Sequence, residues 1–505
     1  MQHILAYDVG TSGCKAALVS EKGEILHTAY QTYPTYYPQP LYAEQNPSDW
    51  WKAVCETTKQ LLQVTSIAPA EIAGLAFSTQ MVNLIPVDQT GVPLRPCISW
   101  LDGRAEEEAQ WVMRKLGGQV IFAAVVGVAM TGKDLLPKYI WLKKHESEIY
   151  RGAAAFIDAS GYLLARATGR LVYEWTTASV TGLFDLKKKQ WDAFLMHFFG
   201  LDEEKFPELV LPHEKVGGLT AQAAAELGLI EGLPVFGGAG DAMTAAVGSG
   251  AVGEAEGHLC LGTSGFVGIV TSKRVTGKRG IPTIQSADPA KLLLIGESET
   301  VGECLKWAGR EFFQREPDGD TFARMDEIVG GVEPGAGRLL FTPWMYGERT
   351  PIADERVRAA FINLGANHTY AHMLRAIYEG VGYNFRWILE NIQELYGFRP
   401  DPLRVIGGGA KGLPWVQIVA DITGRTLESV AEPQHTTALG AGFIAMVGLG
   451  ILNSIEDVKK IVPVAHVVLP QKENQPIYNE LFAHFKELYP ALKNIYHRLN
   501  QVSNS

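Results

Sequence analysis

The chain has 505 residues, 47% hydrophobic and 20% charged, with a net charge of −10. Such a length supports two or three domains with sizeable cores, and the composition excludes an intrinsically disordered chain. The acidic balance argues against a nucleic-acid binder, whose affinity for phosphate backbones needs clustered Lys and Arg.

Ile4 to Tyr7 reads as a short apolar strand, Asp8-Val9-Gly10-Thr11-Ser12-Gly13 as a turn of small residues, and Lys15 to Val19 as the returning strand. Lys22-Gly23-Glu24 reads as the next hairpin turn, with Gly23 supplying a positive φ, and Ile25 to Tyr33 as a third strand. Pro47-Ser48-Asp49 opens a helix patterned through Trp51, Val54, Thr58, Leu61 and Leu62, and Gly74 to Ser78 is another buried strand. Residues 105 to 235 mix helices and loops, and the charge runs Glu106–Glu108 and Lys187–Lys189 read as solvated faces or turns. Gly257 to Leu261 and Phe266 to Val270 form strands around Gly262-Thr263-Ser264-Gly265, so the turn G-T-S-G occurs twice. This points to a weak internal duplication, and we place the boundary near residue 250, giving domains 1–250 and 251–505. Further on come a strand at Lys291 to Ile295, helices at Gly302 to Phe313 and His372 to Leu395, a strand at Leu403 to Ile406, the glycines 407–409, and a helix at Leu413 to Thr423.

Five scattered cysteines, Cys14, Cys55, Cys97, Cys260 and Cys304, include no C-x-x-C pair, so neither a disulfide framework nor a structural zinc site is expected. No apolar run approaches a membrane span and the N-terminus enters a strand directly, so a soluble cytoplasmic protein is expected.

Several segments carry residues suited to phosphate chemistry. Asp8 at a strand end can hold Mg²⁺ through water, while Gly10, Thr11 and Ser12 let backbone N–H groups approach phosphate oxygens and Lys15 adds charge; a plain hairpin is the alternative. Gly262 and Thr263 can grip the same phosphate chain from the other half. Gly407-Gly408-Gly409-Ala410 is a nucleotide turn, a plain tight turn or, with Gly412 and Glu428, a dinucleotide fingerprint. Asp241, after Gly237-Gly238-Ala239-Gly240, can accept the proton of an attacking hydroxyl, or cap the helix from Ala242 to Val247, or both. Gly127-x-x-x-x-Gly132-Lys133 matches most of a P-loop, but Asp134 stands where Ser or Thr is needed and Pro137 interrupts the expected helix. Trp50, Trp51 and Trp100 are candidates for lining a sugar pocket, with Asp102 and Arg104 able to bond sugar hydroxyls.

In this order, Asp8-Val9-Gly10-Thr11-Ser12, Trp100-Leu101-Asp102-Gly103-Arg104, Gly240-Asp241-Ala242, Gly262-Thr263-Ser264-Gly265 and Gly407-Gly408-Gly409-Ala410 resemble the FGGY family of carbohydrate kinases, most closely its xylulose kinases. Residues 359–379 are close to its C-terminal signature, with Asn363 where glycine is usual. The resemblance implies an α/β fold of two actin-like (ribonuclease H-like) domains with the active site in the cleft between them. The N-terminal domain would mainly bind sugar, and the C-terminal one ATP. It further implies Asp241 as the catalytic base and Asp8, with Asp241, as the carboxylates at Mg²⁺. Thr11, Ser12, Lys15, Gly262, Thr263 and Gly302 would lie at the phosphates, Gly408, Gly409 and Ala410 against the adenosine, and Met81, Val82, Asn83, Trp100, Asp102, Arg104 and Asp241 near the sugar. The family's dimers make a homodimer an expectation.

Xylulose kinases typically carry Gln-Met-His-Gly at the sugar loop, which here reads Gln80-Met81-Val82-Asn83. Valine cannot donate the lost hydrogen bond, and Asn83 offers a donor one residue along. The expected reaction is ATP-dependent transfer of the γ-phosphoryl group to a ketose, D-xylulose first. Ribulose, erythrulose, gluconate and glycerol are the other acceptors, although the Arg-Glu pair usual in glycerol kinases is missing. A partner-driven ATPase related to actin is the alternative of another class.

Overall fold

The computed structural model describes residues 2–118, 130–275 and 277–500. Two mixed seven-stranded sheets dominate it. The first contains β1 (His3–Val9), β2 (Gly13–Ser20), β3 (Ile25–Thr32), β4 (Ile72–Thr79), β5 (Lys215–Gly218), β6 (Pro234–Phe236) and β7 (Ala239–Gly240), in the order β5-β6-β4-β1-β2-β3 with β7 beside β4. The second contains β8 (Gly257–Leu261), β9 (Gly265–Thr271), β10 (Thr283–Gln285), β11 (Leu292–Ser298), β12 (Leu403–Ile406), β13 (Leu427–Val430) and β14 (Val464–Val468), in the order β10-β11-β9-β8-β12-β13-β14.

The sheets repeat one pattern. In each, a three-strand antiparallel meander (β1-β2-β3, β8-β9-β11) continues into two strands parallel to its first (β4 and β6, β12 and β13) and ends on an antiparallel strand, β5 or β14. The two G-T-S-G turns therefore occupy equivalent positions, between β1 and β2 and between β8 and β9. Gly23 has φ +84, as the hairpin turn requires.

Alternation along each strand feeds two cores. In β1, Leu5, Tyr7 and Val9 face a cluster with α1 (Pro47–Thr65), whereas Ile4 and Ala6 face the other half of the chain. Helix α1 starts where Asn46 Oδ1 accepts the Ser48 N–H at 3.1 Å, with Pro47 at the first helical position. Trp50 and Trp51, candidates for a sugar pocket, are buried in this core instead: Trp50 packs on Tyr162, and Trp51 Nε1 donates to Glu226.

Between the sheets lie α2 (Asp241–Ser249) and α3 (Thr436–Gly448), and they are exchanged. Helix α3, late in the chain, covers β1, β2 and β4 of the first sheet, while α2 lies on β8, β9 and β12 of the second. They cross backbone to backbone: a Cβ on Gly440 would lie 1.9 Å from the Thr244 carbonyl oxygen, and one on Gly248 equally close to that of Thr436. Only glycine admits this approach.

The P-loop-like segment begins outside the described residues, at Gly127. Its described end forms no phosphate cradle: Gly132 lies against the Gly103–Glu106 backbone, and Asp134 accepts the Thr131 N–H at 2.7 Å. Pro137, expected to interrupt a helix, sits in the first turn of the helix Leu135–His145, where its missing N–H costs little. The charge runs also depart from a purely solvated reading, since Glu108 is buried against Lys144 and His145, and Lys189 donates to Pro289 O at 3.0 Å.

Candidate active site

The end of β1 brings Asp8 to the cleft, opposite Lys15 in the β1–β2 register. Its carboxylate is held from both halves: Thr437 Oγ1 on α3 donates to Oδ2 at 2.7 Å, and Ser78 Oγ at the end of β4 lies 3.4 Å from Oδ1. Ser78 and Thr244 share a hydroxyl hydrogen bond of 2.7 Å, which ties the Asp8 strand to α2. By alternation along β2, Lys15 lies on the face of Ala17 and Val19, toward the second half of the chain.

Asp241 is the first residue of α2, one position later than a cap, with Gly240 at the cap. Its Oδ1 accepts the Ala242 N–H at 2.8 Å. Burial and the like charge of Asp8 push its carboxyl up to about 7, against the pull of the Ala242 N–H, and Glu297 of β11 adds its charge. A carboxylate poised near neutrality can take a proton from a hydroxyl and later release it. Met81 packs on the preceding residue, since a Cβ on Gly240 would meet Met81 Sδ at 2.5 Å.

A closed ring of hydrogen bonds organises the loops around Met81. Gln80 Nε2 donates to Gln45 Oε1 at 2.7 Å, and Gln45 Nε2 to the Thr11 carbonyl at 2.7 Å. Trp100 Nε1 donates to Thr11 Oγ1 at 2.9 Å, and the Trp100 N–H to Asn83 Oδ1 at 3.3 Å. Asn83 Nδ2 returns to the Gln80 carbonyl at 3.0 Å. Thr11 thus spends its side chain on Trp100 and its carbonyl on Gln45, while the neighbouring Ser12 is exposed at the turn. Val82 bends the loop with φ +60, an uncommon conformation for a β-branched residue, and its side chain is half-buried.

Three expectations for the sugar side need correction. Asn83 is fully buried in the ring just described, so it does not replace a missing donor at the cleft. Asp102 is also fully buried and accepts the Ala43 N–H at 2.6 Å, the Arg104 N–H at 3.0 Å and Arg104 Nη2 at 2.7 Å. Arg104 completes a buried cluster with Glu44 at 2.6 Å, its guanidinium stacked 3.7 Å from the Tyr42 ring centre. These buried polar groups are spent mainly on one another and on the loop that carries Trp100.

On the other side, Gly262 and Thr263 sit on the start of the helix Gly302–Phe313. The Gly302 N–H donates to Gly262 O at 2.8 Å and the Glu303 N–H to Thr263 O at 3.1 Å, while Lys306 Nζ reaches Thr263 Oγ1 at 3.1 Å. A Cβ on Gly302 would lie 2.6 Å from Gly262 O. After β12 the chain makes a 3-10 turn, Gly408–Lys411, before the helix Leu413–Thr423. Gly407, at φ +89, lies against the Leu261–Gly262 backbone, Gly408 faces open space, Gly409 packs on Trp415, and Ala410 is buried. The turn therefore abuts the second G-T-S-G turn. The dinucleotide alternative fails, because Glu428 pairs with Arg404 on the adjacent strand at 3.0 Å and the sheet opens on antiparallel strands.

Sequence and structure comparisons now bear on this cleft. Residues 3–248 match the N-terminal domain, and residues 257–449 the C-terminal domain, of the FGGY family of carbohydrate kinases. The chain belongs to this family and is a sugar kinase of the actin-like two-domain fold, with ATP as its phosphoryl donor. Among its relatives, the xylulose kinase of Staphylococcus epidermidis is 30% identical over 503 residues, 99% of each chain. The ligand-bound crystal structure of xylulose kinase from Lactobacillus acidophilus superposes with a TM-score of 0.88 at 25% identity, covering 99% of this chain and 100% of that one. The gluconate kinase from the same organism gives a TM-score of 0.89 at 25% identity over the same shares. No helix among the described residues is long and apolar enough to cross a membrane.

Proposed function

We propose that the protein transfers the γ-phosphoryl group of ATP to D-xylulose, giving D-xylulose 5-phosphate, with Asp241 as the base. The observation that carries this reading is the Asp241 carboxyl, pushed up to about 7 at the cleft beside Asp8 and Met81. Asp241 orients and deprotonates the attacking hydroxyl, while Met81, the half-buried Val82 and Trp100 bound the sugar. Thr11, Ser12, Lys15, Gly262, Thr263 and Gly302 line the phosphates from both G-T-S-G turns. Gly408, Gly409 and Ala410 take the adenosine. Residues 1–250 form the sugar half and residues 251–505 the nucleotide half, and the protein works in the cytoplasm.

Asp8 and Asp241 fit a Mg²⁺ site. Two hard carboxylates, Asp8 near enough for its charge to raise the Asp241 carboxyl, match an ion that takes one or two carboxylates and completes its shell with water and substrate phosphates. When bound, the ion would neutralise charge developing on the phosphoryl oxygens.

Gluconate is the second reading. It rests on the equally close likeness to a gluconate kinase and on Val82, which offers no polar atom where xylulose kinases typically place histidine. A coupled ADP-release assay with ATP, Mg²⁺ and D-xylulose, ribulose, erythrulose, gluconate or glycerol decides between them. Turnover highest with D-xylulose supports the proposal, and turnover highest with gluconate replaces it. A rate indifferent to every acceptor would refute both.

A further inference from the structure

The base is held in place by residues outside the cleft. The strand Val172–Glu174 leads into a short helix, Trp175–Ala178, whose cap is the fully buried carboxylate of Glu174. Its two oxygens each accept the Thr176 N–H at 2.9 Å, and one also accepts the Thr177 N–H at 3.2 Å. The Thr176 hydroxyl donates to the same carboxylate. A hydroxyl has one proton, so this bond leaves Thr176 Oγ1 only lone pairs to offer elsewhere. They are aimed at Gly240, whose N–H donates to Thr176 Oγ1 at 2.9 Å across 64 residues of sequence.

Gly240 is the residue immediately before Asp241, and the N–H held by Thr176 belongs to the Ala239–Gly240 peptide. Its strand β7 pairs with Ser78 and Thr79, and its bare Cα accepts Met81. Gly240 is thus held by Thr176 at its N–H, by β4 along the strand and by Met81 at its Cα. Thr176 is fully buried, so water cannot take its place. The arrangement is costly, since burial pushes the Glu174 carboxyl up to about 8 against the pull of its donors, and Asp158 adds a like charge nearby. A helix of four residues does not by itself call for a buried carboxylate.

We infer that Thr176, its hydroxyl oriented by Glu174, is a positioning residue for Asp241, fixing the Gly240 peptide so that the base meets the acceptor hydroxyl in line. The inference rests on Asp241 acting as the base. Thr176→Val keeps the shape and removes the acceptor, while Thr176→Ser restores it. With ATP and either D-xylulose or gluconate, whichever turns over faster, Thr176→Val is expected to lower kcat about ten- to a hundredfold, the scale of a displaced catalytic group. The KM for ATP stays at the wild-type value, and Thr176→Ser recovers most of kcat. Melting curves show whether each variant is folded at the assay temperature, and Glu174→Gln, expected to lower kcat in the same direction, stands in if Thr176→Val does not fold. Wild-type kcat in a folded Thr176→Val or Glu174→Gln, or equal losses in Thr176→Val and Thr176→Ser, would overturn the inference. Asp241→Asn run alongside separates the two readings: if it keeps full turnover the base assignment fails, whatever Thr176 does.

Discussion

Replacing Asp241 by Asn should stabilise the protein, and the gain should depend on pH in a defined way. The side chains are isosteric, and the Asn Oδ1 can keep the bond from the Ala242 N–H. Folding raises the Asp241 carboxyl from its ordinary 3.8 to about 7, through burial and the charge of Asp8. Between those values the folded protein binds a proton that the unfolded chain has released, so wild-type stability falls as pH rises. The penalty is absent below pH 3.8 and complete above about 7. At about 1.4 kcal/mol for each pH unit it reaches about 4 kcal/mol at pH 8, and less than half of that at pH 5. Urea unfolding of both proteins, without Mg²⁺ or nucleotide, measures the difference directly. Asp241→Asn should be the more stable at pH 8 by several kcal/mol, with the two proteins converging toward pH 4. No gain at pH 8, or the same gain at both ends, would refute the reasoning that this carboxylate is ionised at a cost.

Two further outcomes follow from packing. Arg104→Met removes the cation shared by Asp102 and Glu44 and strands a buried carboxylate; the expected loss is about 3–5 kcal/mol, measured by denaturant unfolding. Gly440→Ala sets a methyl group 1.9 Å from a backbone oxygen that cannot turn aside. It should cost at least the ~1–3 kcal/mol of ordinary overpacking, read as a lower melting temperature.

Much of this was legible in the sequence because it is local. Short apolar strands around small-residue turns, the hairpin glycine Gly23, and Asp8 and Asp241 at element ends are all signals within ten residues. The repeated G-T-S-G pointed to a weak internal duplication, and the two sheets that carry it share one strand pattern. What escaped was partnership over distance. Asp102 and Asn83 looked available to a sugar because sequence does not show how a loop folds on itself; their atoms go to the near neighbours Arg104 and Gln80 and to the distant Ala43 and Trp100. Thr437 on Asp8 and Thr176 on Gly240 carried no motif at all, since one hydroxyl in a chain rich in them says nothing until the sheets assemble. Trp50 and Trp51 show the reverse error: Trp51 already stood in the helical apolar pattern, and both are buried in that core.

The exchanged helices have a consequence for how the enzyme can be divided. A cut near residue 250 looks harmless in sequence, yet it would strip α3 from the first sheet and leave Ile4, Ala6, Val19 and Ala76 facing water. Neither fragment would be a self-sufficient module, and expressed alone each would carry a sticky, half-clothed sheet. Each sheet is clothed by a helix that by sequence belongs to the other half, and the two helices meet at the glycine crossing.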